Sequence, residues 1–287
     1  MSPDRPAPAR PAGAAGPDGR RRPHRRPPPR RVEVRRTQRL SPHMVRVTFG
    51  GEELAGWPAD GDPTGHCKVF LPGDGDAEPA LPTWGPEGPV FDQDRPRPTV
   101  RTYTPRRFDR GALELDVDFV LHPGGPASDW AATAEPGQRA AVAGVGRGYP
   151  IDPTTRTFHL AGDETALPAI GVLLERLPDR ATVAVDVEVR DDAAEVRLPH
   201  HPGAIVRWLV RPPDATPGSE LVDAFARAVL PDRQRVWIAA EASAVRTIRR
   251  GLLDRGVPVD HVVARGYWRH GHADHPDGDY ATDALSA

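Results

Sequence analysis

The chain of 287 residues contains one cysteine and one lysine, and aromatic side chains make up only 6% of it. A single cysteine, Cys67, excludes a disulfide framework and an iron–sulfur cluster held by several cysteines. No apolar run approaches the roughly 20 residues that a membrane-spanning helix needs. The charged N-terminal segment has no apolar stretch behind it, so it does not match a secretory signal. We therefore expect a cytoplasmic protein without a membrane partner.

Lys68 is the only lysine, so arginine supplies almost all of the 38 basic side chains. Together with 40 acidic side chains they give a formal net charge of −2. This balance excludes a uniformly basic chain built to coat nucleic acid. Residues 1–30 are rich in proline and arginine and almost free of large apolar side chains. Such a segment cannot bury a core, so we predict a disordered tail and no nucleic-acid partner.

Residues 31–152 have the pattern of short strands joined by loops rich in proline and glycine. Apolar side chains at Leu115, Val117 and Phe119 alternate with acidic ones, the period of two that is typical of a strand with one buried face. Another short run, residues 44–49, alternates in the same way and ends at a Gly-Gly pair. Several such strands predict a small antiparallel β-barrel domain.

Residues 153–271 alternate between strand patterns and helical patterns. Residues 157–161 and 183–189 are short apolar runs typical of buried strands. Residues 166–177, between them, place apolar side chains at helical spacing. Continued to the end of the segment, this alternation predicts an α/β domain with a parallel sheet, covered on both faces and able to bind a nucleotide. We predict the remaining residues, 272–287, to be a flexible tail.

The clearest chemistry lies in Arg101, Tyr103 and Thr104, within the segment Arg-Thr-Tyr-Thr-Pro-Arg that ends at Arg106. Alternate side chains of a strand share a face, so Arg101 and Tyr103 point the same way. A guanidinium suits a phosphate, a tyrosine ring can stack on a flat heterocycle, and a hydroxyl can bond the edge of that ring. An ordinary barrel strand with a surface arginine and a core tyrosine is the alternative interpretation.

Two later segments have the form of loops that receive an anion or a nucleotide. Residues 124–131 are a Gly-Gly-Pro turn leading into a short helix, whose first backbone N–H groups can hold a phosphate. Ser128 could instead simply cap that helix. Residues 162–170 lie between the first strand and the first helix of the α/β domain, where an open parallel sheet binds its nucleotide.

Together these segments resemble the siderophore-interacting proteins, a family of the ferredoxin-reductase-like flavoproteins. The resemblance extends over residues 32–271 and rests on five segments in the family's order. They are Arg101–Arg106, Asp118–Ala131, Gly162–Ile170, Val236–Ala242 and Gly266–Gly271. The loop at Gly144 departs from the family, which commonly has proline after this glycine where the chain has valine.

The resemblance implies an FAD-dependent reductase of ferric siderophores that draws its electrons from NADH or NADPH. It assigns FAD binding to Arg101, Tyr103, Thr104, His122, Gly125, Pro126, Ala127 and Ser128. It assigns nicotinamide-nucleotide binding to Gly162, Asp163, Glu164, Thr165, Glu241 and Ala242. The basic candidates for contacting an anionic siderophore are Lys68, Arg106 and Arg269. No catalytic residue and no resident metal site are predicted, because outer-sphere electron transfer needs no acid–base pair.

Three alternatives stay open at this point. The same fold could receive electrons from ferredoxin, it could be a general flavin reductase or diaphorase, or it could bind siderophores without being an enzyme. The strand end at Glu188, Arg190 and Asp191 offers both acidic and basic candidates for the nucleotide's ribose, so the choice between NADH and NADPH is open as well. We expect a monomer, and the class of siderophore does not follow from the sequence.

Overall fold

Two large β-sheets of different construction and one small two-stranded sheet are found in the described part of the chain. The computed structural model describes residues 28–58, 61–73, 75–85, 88–146, 148–272 and 278–279. The predicted tail at residues 1–30 falls outside these ranges except for its last three residues, and Arg30 already begins a strand. The predicted boundary at residue 152 falls in the segment between the two sheets, which contains no regular element.

Nine strands and one short helix build the first half of the chain. They are β1 (Arg30–Ser41), β2 (Met44–Gly50), β3 (Cys67–Leu71), β4 (Thr83–Gly85), β5 (Gly88–Val90), β6 (Thr99–Tyr103), β7 (Pro105–Asp109), β8 (Glu114–Val120), α1 (Pro126–Ala132) and β9 (Arg139–Ala143). Seven strands form one sheet in the order β6-β3-β9-β1-β2-β8-β7, while β4 and β5 pair separately. Every pairing in this sheet is antiparallel, as predicted.

The two end strands of this sheet, β6 and β7, follow each other in the chain with only Thr104 between them. Among the described residues no backbone ladder joins them, so the antiparallel architecture is confirmed but closure of a barrel is not. The sheet curls around a core that includes the fully buried Phe49 and Phe119. Strand β6 contacts β8 and α1 across the gap between the two ends, which we call the sheet opening.

Strands and helices alternate through the second half of the chain. They are β10 (Thr157–Asp163), α2 (Leu167–Arg176), β11 (Thr182–Val189), β12 (Ala204–Val210), α3 (Ser219–Arg227), β13 (Arg235–Glu241), α4 (Ala242–Asp254), β14 (Val262–Trp268) and β15 (Gly278–Asp279). The sheet order is β12-β11-β10-β13-β14-β15, with five parallel strands and an antiparallel β15. The predicted parallel sheet is therefore confirmed. Residues 278–279 of the predicted flexible tail belong to it.

Helices cover both faces of the parallel sheet, because its strands are apolar on both sides. Helix α2 buries Leu167 and Ile170 in the core of one face, and α3 and α4 bury Leu221 and Val245 in the core of the other. Strands β10 and β13 lie side by side, and the chain order reverses between them. In an open α/β sheet the crevice at the carboxyl ends of such a strand pair is where a ligand binds. None of the helices in the described ranges is long and apolar enough to cross a bilayer.

Candidate functional site

Strand β6 presents Arg101 and Tyr103 on the face of the first sheet that contains its core. The Tyr103 ring lies 4.3 Å from the Phe119 ring, measured between centroids, and it is half-buried. Burial raises the pKa of the Tyr103 phenol well above its ordinary value, so the ring carries no charge. Arg101 lies two residues before Tyr103 on the same strand, and its guanidinium donates to the Val100 carbonyl at 2.8 Å.

Thr104 occupies the turn between the two end strands at the sheet opening. It is only 6% exposed, and its side chain has no hydrogen-bond partner within the described ranges. Its hydroxyl oxygen is not among the buried side-chain atoms that lack a partner, so this atom still reaches solvent. An accessible hydroxyl that follows Tyr103 in the chain fits the polar edge of a bound heterocycle.

The loop from His122 to Gly125 lies across the sheet opening from β6 and leads into α1. The Ser128 hydroxyl accepts from the His122 N–H and donates to the His122 carbonyl, both at 2.8 Å. It therefore closes this loop, and no side chain caps α1. Gly124 has a φ of 74°, and a Cβ on Gly125 would lie 2.3 Å from the His122 ring. The positive φ favours glycine at position 124, whereas a side chain at position 125 would only displace the exposed His122 ring.

These groups match the chemistry of FAD. The guanidinium of Arg101 and the backbone N–H groups of the first turn of α1 can pair with a pyrophosphate. The Tyr103 ring and the hydroxyl of Thr104 can receive a flavin ring and its polar edge. Because the cation and the aromatic ring lie on β6 and the hydroxyl lies in the turn that follows it, the residues present fit the cofactor.

The carboxyl ends of β10 and β13 carry the residues predicted to bind the nicotinamide nucleotide, and we call this region the carboxyl edge. The Asp163 carboxylate accepts from the N–H and the hydroxyl of Thr165 at 2.9 and 2.5 Å. It also accepts from the Glu241 N–H at 3.0 Å and from the Trp268 indole N–H at 2.7 Å. Asp163 is buried, and burial raises its pKa. One carboxylate thus joins three segments of the chain.

Glu241 and Gly162 complete the carboxyl edge. The Glu241 carboxylate accepts from the N–H groups of Ser243 and Ala244 at 2.6 and 3.0 Å, so it caps α4. A Cβ on Gly162 would lie 2.6 Å from the Ala239 carbonyl oxygen of the neighbouring strand. Glycine is therefore required for the close approach of β10 and β13. Ala242 is the first residue of α4 and is buried.

The residues that could meet the ribose are already engaged. Glu188 accepts from the N–H groups of Gly218 and Glu220 at 2.7 and 3.0 Å, so it caps α3. Arg190 pairs with Glu164, with the closest approach of 2.5 Å between Nη2 and Oε2. Sequence reasoning missed both pairings, because residues 26 and more positions apart show no shared pattern. Neither residue offers a free carboxylate or a free guanidinium to a ribose.

The three basic residues predicted to contact the substrate lie on three different elements. Lys68 on β3 donates from Nζ to the Thr102 hydroxyl at 2.6 Å. Arg106 on β7 forms two hydrogen bonds with the carboxylate of Glu175 in α2, at 2.7 and 2.9 Å, and its side chain is 13% exposed. Arg269 follows β14 and is exposed. Within the described residues no hydrogen bond or ion pair links these three side chains, and no cluster of metal ligands is found.

Comparison with known families identifies both halves of the chain. Residues 33–148 match the family model of the siderophore-interacting FAD-binding domain. Residues 155–271 match the family model of the siderophore-interacting protein. The chain belongs to the siderophore-interacting protein family. FAD is accordingly the cofactor of its first domain, in agreement with the fit of the residues at the sheet opening.

Relatives and solved structures of this family extend over most of the chain. It is 32% identical over 243 residues to the ferric vibriobactin reductase ViuB of Vibrio cholerae, with 82% of this chain and 88% of the relative covered. It is 36% identical over 243 residues to the NADPH-dependent ferric-chelate reductase of Escherichia coli, covering 83% and 91%. A siderophore utilization protein from T. fusca superposes with a TM-score of 0.77 at 39% identity, covering 86% of this chain and 95% of that one.

Proposed function

We propose that this protein is an FAD-dependent reductase of ferric siderophores with NADPH as its electron donor. The observation that carries the proposal is the contact of Arg190 with both candidate cofactor regions. Its guanidinium donates to the Glu164 carboxylate in the loop Gly162–Thr165 and to the Leu121 carbonyl, which directly precedes the loop His122–Gly125. The Arg106–Glu175 pair adds a second contact between the domains, from β7 to the far end of α2. A flavin at the first region and a nicotinamide at the second would thus be neighbours.

The similar proteins support the reaction and the donor. ViuB is named a ferric vibriobactin reductase, and the E. coli relative is named an NADPH-dependent ferric-chelate reductase. Both are covered by this chain over nearly nine tenths of their length or more. The chain is therefore long enough to contain the complete reductase, and NADPH is favoured over ferredoxin as the source of electrons.

The chemistry that bound FAD supplies is conversion of an electron pair into single electrons, so that one NADPH reduces two ferric ions and becomes NADP⁺. Reduction lowers the affinity of the siderophore for iron, because hard oxygen donors favour the smaller and more highly charged ferric ion. The protein holds the reactants in place: Tyr103 offers an uncharged ring and Thr104 a hydroxyl, while Asp163 fixes the loop Gly162–Thr165. No side chain needs to transfer a proton to the iron chelate.

The substrate is a ferric siderophore, attracted by positive charge near the sheet opening. Many ferric siderophores are anionic, and cations beside a cleft raise the local concentration of such ligands. Lys68 and Arg269 are the first candidates, since Arg106 can offer only the N–H groups that Glu175 does not occupy. We further propose that the protein acts as a monomer in the cytoplasm.

The test is an anaerobic titration of the FAD-loaded protein followed by its visible absorption. We expect NADPH to bleach the flavin bands and a ferric siderophore to restore them, with a ferrous-specific chelator reporting one Fe(II) per electron. A protein that binds no FAD would refute the proposal. Flavin bands that persist with both NADPH and NADH would refute NADPH as the electron donor and favour ferredoxin instead. Faster turnover on free flavin than on ferric siderophore would indicate a general flavin reductase.

A further inference from the structure

Arg190 forms an extensive side-chain contact with Glu164 inside the α/β half of the chain. It follows β11, and its Nε lies 3.0 Å from each carboxylate oxygen of Glu164. Its Nη2 adds a bond of 2.5 Å to Oε2, and its backbone N–H donates to Oε1 at 2.9 Å. The Glu164 side chain is only 10% exposed. A guanidinium held by several short bonds to one shielded carboxylate is rigidly oriented.

The same guanidinium reaches into the flavin domain. Its Nη1 donates to the Leu121 carbonyl at 3.2 Å, and Leu121 directly precedes the His122 loop that Ser128 closes. The next residue repeats the connection, because the Asp191 carboxylate lies 2.9 Å from His43 Nε2. The His43 carbonyl in turn accepts from the Leu121 N–H at 2.8 Å. The backbone carbonyl of Leu121 is thus held directly by Arg190, and its N–H is held by His43, which pairs with Asp191.

Arg190 therefore stands between the two cofactor loops. On one side is Glu164, within the loop Gly162–Thr165 at the carboxyl edge, and on the other is the loop His122–Gly125 at the sheet opening. For a ribose the guanidinium has left only the N–H groups that Glu164 and Leu121 do not occupy. Arg190 connects the two loops, so restricting the motion of one loop also restricts the motion of the other.

We propose that Arg190 is a positioning residue that couples the two cofactor sites, so that a bound nicotinamide nucleotide tightens the binding of FAD. The inference rests on the proposed function. A nucleotide at the carboxyl edge restricts the motion of Glu164, and through Arg190 it restricts the loop that holds the FAD pyrophosphate. FAD then loses less conformational freedom of the protein when it binds, which is positive coupling without a change of fold. By linkage, FAD must tighten nucleotide binding by the same factor.

The experiment measures the dissociation constant of FAD by quenching of flavin fluorescence, with and without saturating NADP⁺, which cannot reduce the flavin. For the wild-type protein we expect NADP⁺ to lower this constant about fivefold, the lower end of typical coupling between sites. Arg190→Ala should make the two constants equal. Arg190→Lys keeps the charge but lacks the planar set of donors, so its ratio should fall to about twofold or less.

Arg207→Ala is the matched control. Arg207 also forms two hydrogen bonds with a buried carboxylate, that of Asp186 at 2.7 Å each, but it lies on β12 and contacts only its own domain. We expect this variant to keep the wild-type ratio. A ratio that Arg190→Ala leaves intact, or that Arg207→Ala removes equally, would overturn the proposal. If Arg190→Ala does not fold, Arg190→Lys decides the question by the same ratio.

The failure of this inference is separable from failure of the proposed function. If the wild-type protein binds both FAD and NADP⁺ but its FAD dissociation constant is the same with and without NADP⁺, the coupling proposal is refuted. The proposed reductase function is then unaffected. If it binds neither cofactor, both proposals fall together. The reverse titration, NADP⁺ affinity with and without FAD, must give the same factor, and a different factor contradicts coupling between two defined sites.

Discussion

The sheet opening and the carboxyl edge use their polar side chains in opposite ways. At the opening, the Thr104 hydroxyl has no partner among the described residues and His122 is exposed. At the carboxyl edge, the carboxylates of Asp163, Glu188 and Glu241 each accept bonds from several donors of the protein itself. The sheet opening thus keeps polar side chains available for a ligand, whereas at the carboxyl edge they form hydrogen bonds within the protein.

This difference indicates how each region meets a ligand. A carboxylate that already holds backbone N–H groups stabilises the loop around it and has little capacity left for another partner. We therefore expect the carboxyl edge to contact a nucleotide largely through its main chain, shaped by Gly162 and held by Asp163. The sheet opening can contact its cofactor through side chains. Variants at the carboxyl edge should then lower stability, and variants at the opening should lower affinity.

The largest effect is expected for Asp163→Ala. The change leaves the Glu241 N–H and the Trp268 indole N–H buried without an acceptor, which should lower the free energy of unfolding by about 3 kcal/mol or more. Urea unfolding measures it. Asp223→Ala is the control, because Asp223 is 60% exposed and pairs only with Arg227 on the surface, so its loss should cost less than about 0.5 kcal/mol. If both variants lower the free energy of unfolding by the same amount, the stabilising role assigned to the carboxyl edge is wrong.

The same residue gives a prediction about pH. Burial raises the pKa of Asp163, so the folded protein binds this proton more tightly than the unfolded chain does. Its contribution to stability is therefore complete below the unfolded pKa of about 4 and is lost as the pH rises through the raised folded value. Relative to Asp163→Asn, the wild-type protein should gain stability when the pH is lowered from about 7 to about 5. A relative loss of stability would refute the assignment.

A smaller effect is expected for Arg101→Ala at the sheet opening. Loss of charge-assisted hydrogen bonds to a phosphate costs about 2 kcal/mol, so FAD should bind about 30-fold more weakly. The midpoint of urea unfolding without FAD should change little. Fluorescence titration with FAD measures the affinity, and Arg107→Ala on the neighbouring strand is the control because its side chain is 67% exposed. Unaltered FAD affinity in Arg101→Ala would remove this residue from the site.

The smallest effect is expected for Lys68→Glu. The Lys68 ammonium is half-buried and bonds only to the Thr102 hydroxyl. Replacing one cation near an anionic substrate alters its binding by about 1 kcal/mol, so KM for the ferric siderophore should rise about fivefold. The FAD content of the purified protein should stay as in the wild type. A KM that does not move would show that the substrate binds elsewhere.

Local periodicity predicted the elements of the second half of the chain well. The helical pattern at residues 166–177 corresponds to α2, Leu167–Arg176, and the run at 183–189 lies within β11, Thr182–Val189. The prediction of these elements is accurate because the spacing of their apolar residues follows directly from burial on one or both faces. The antiparallel first sheet was predicted for the same reason, from the alternation that became β8.

Contacts between distant residues could not be predicted in this way. The Asp163–Trp268 bond joins residues 105 positions apart, and Arg190 reaches Leu121 across 69 positions. Each looked like an independent member of a motif or a strand end. Their roles depend on which loops the fold brings together, and periodicity carries no information about that. The missing ladder between β6 and β7 was hidden for the same reason.

Because Lys68 is the only lysine, its amine is the one side-chain amine that an acylating reagent could modify. It lies on the strand that pairs with β6, one register position from the pair formed by Val69 and Arg101. A fluorophore or a solid support attached through it would therefore be held at one defined position in every molecule, on the strand next to β6.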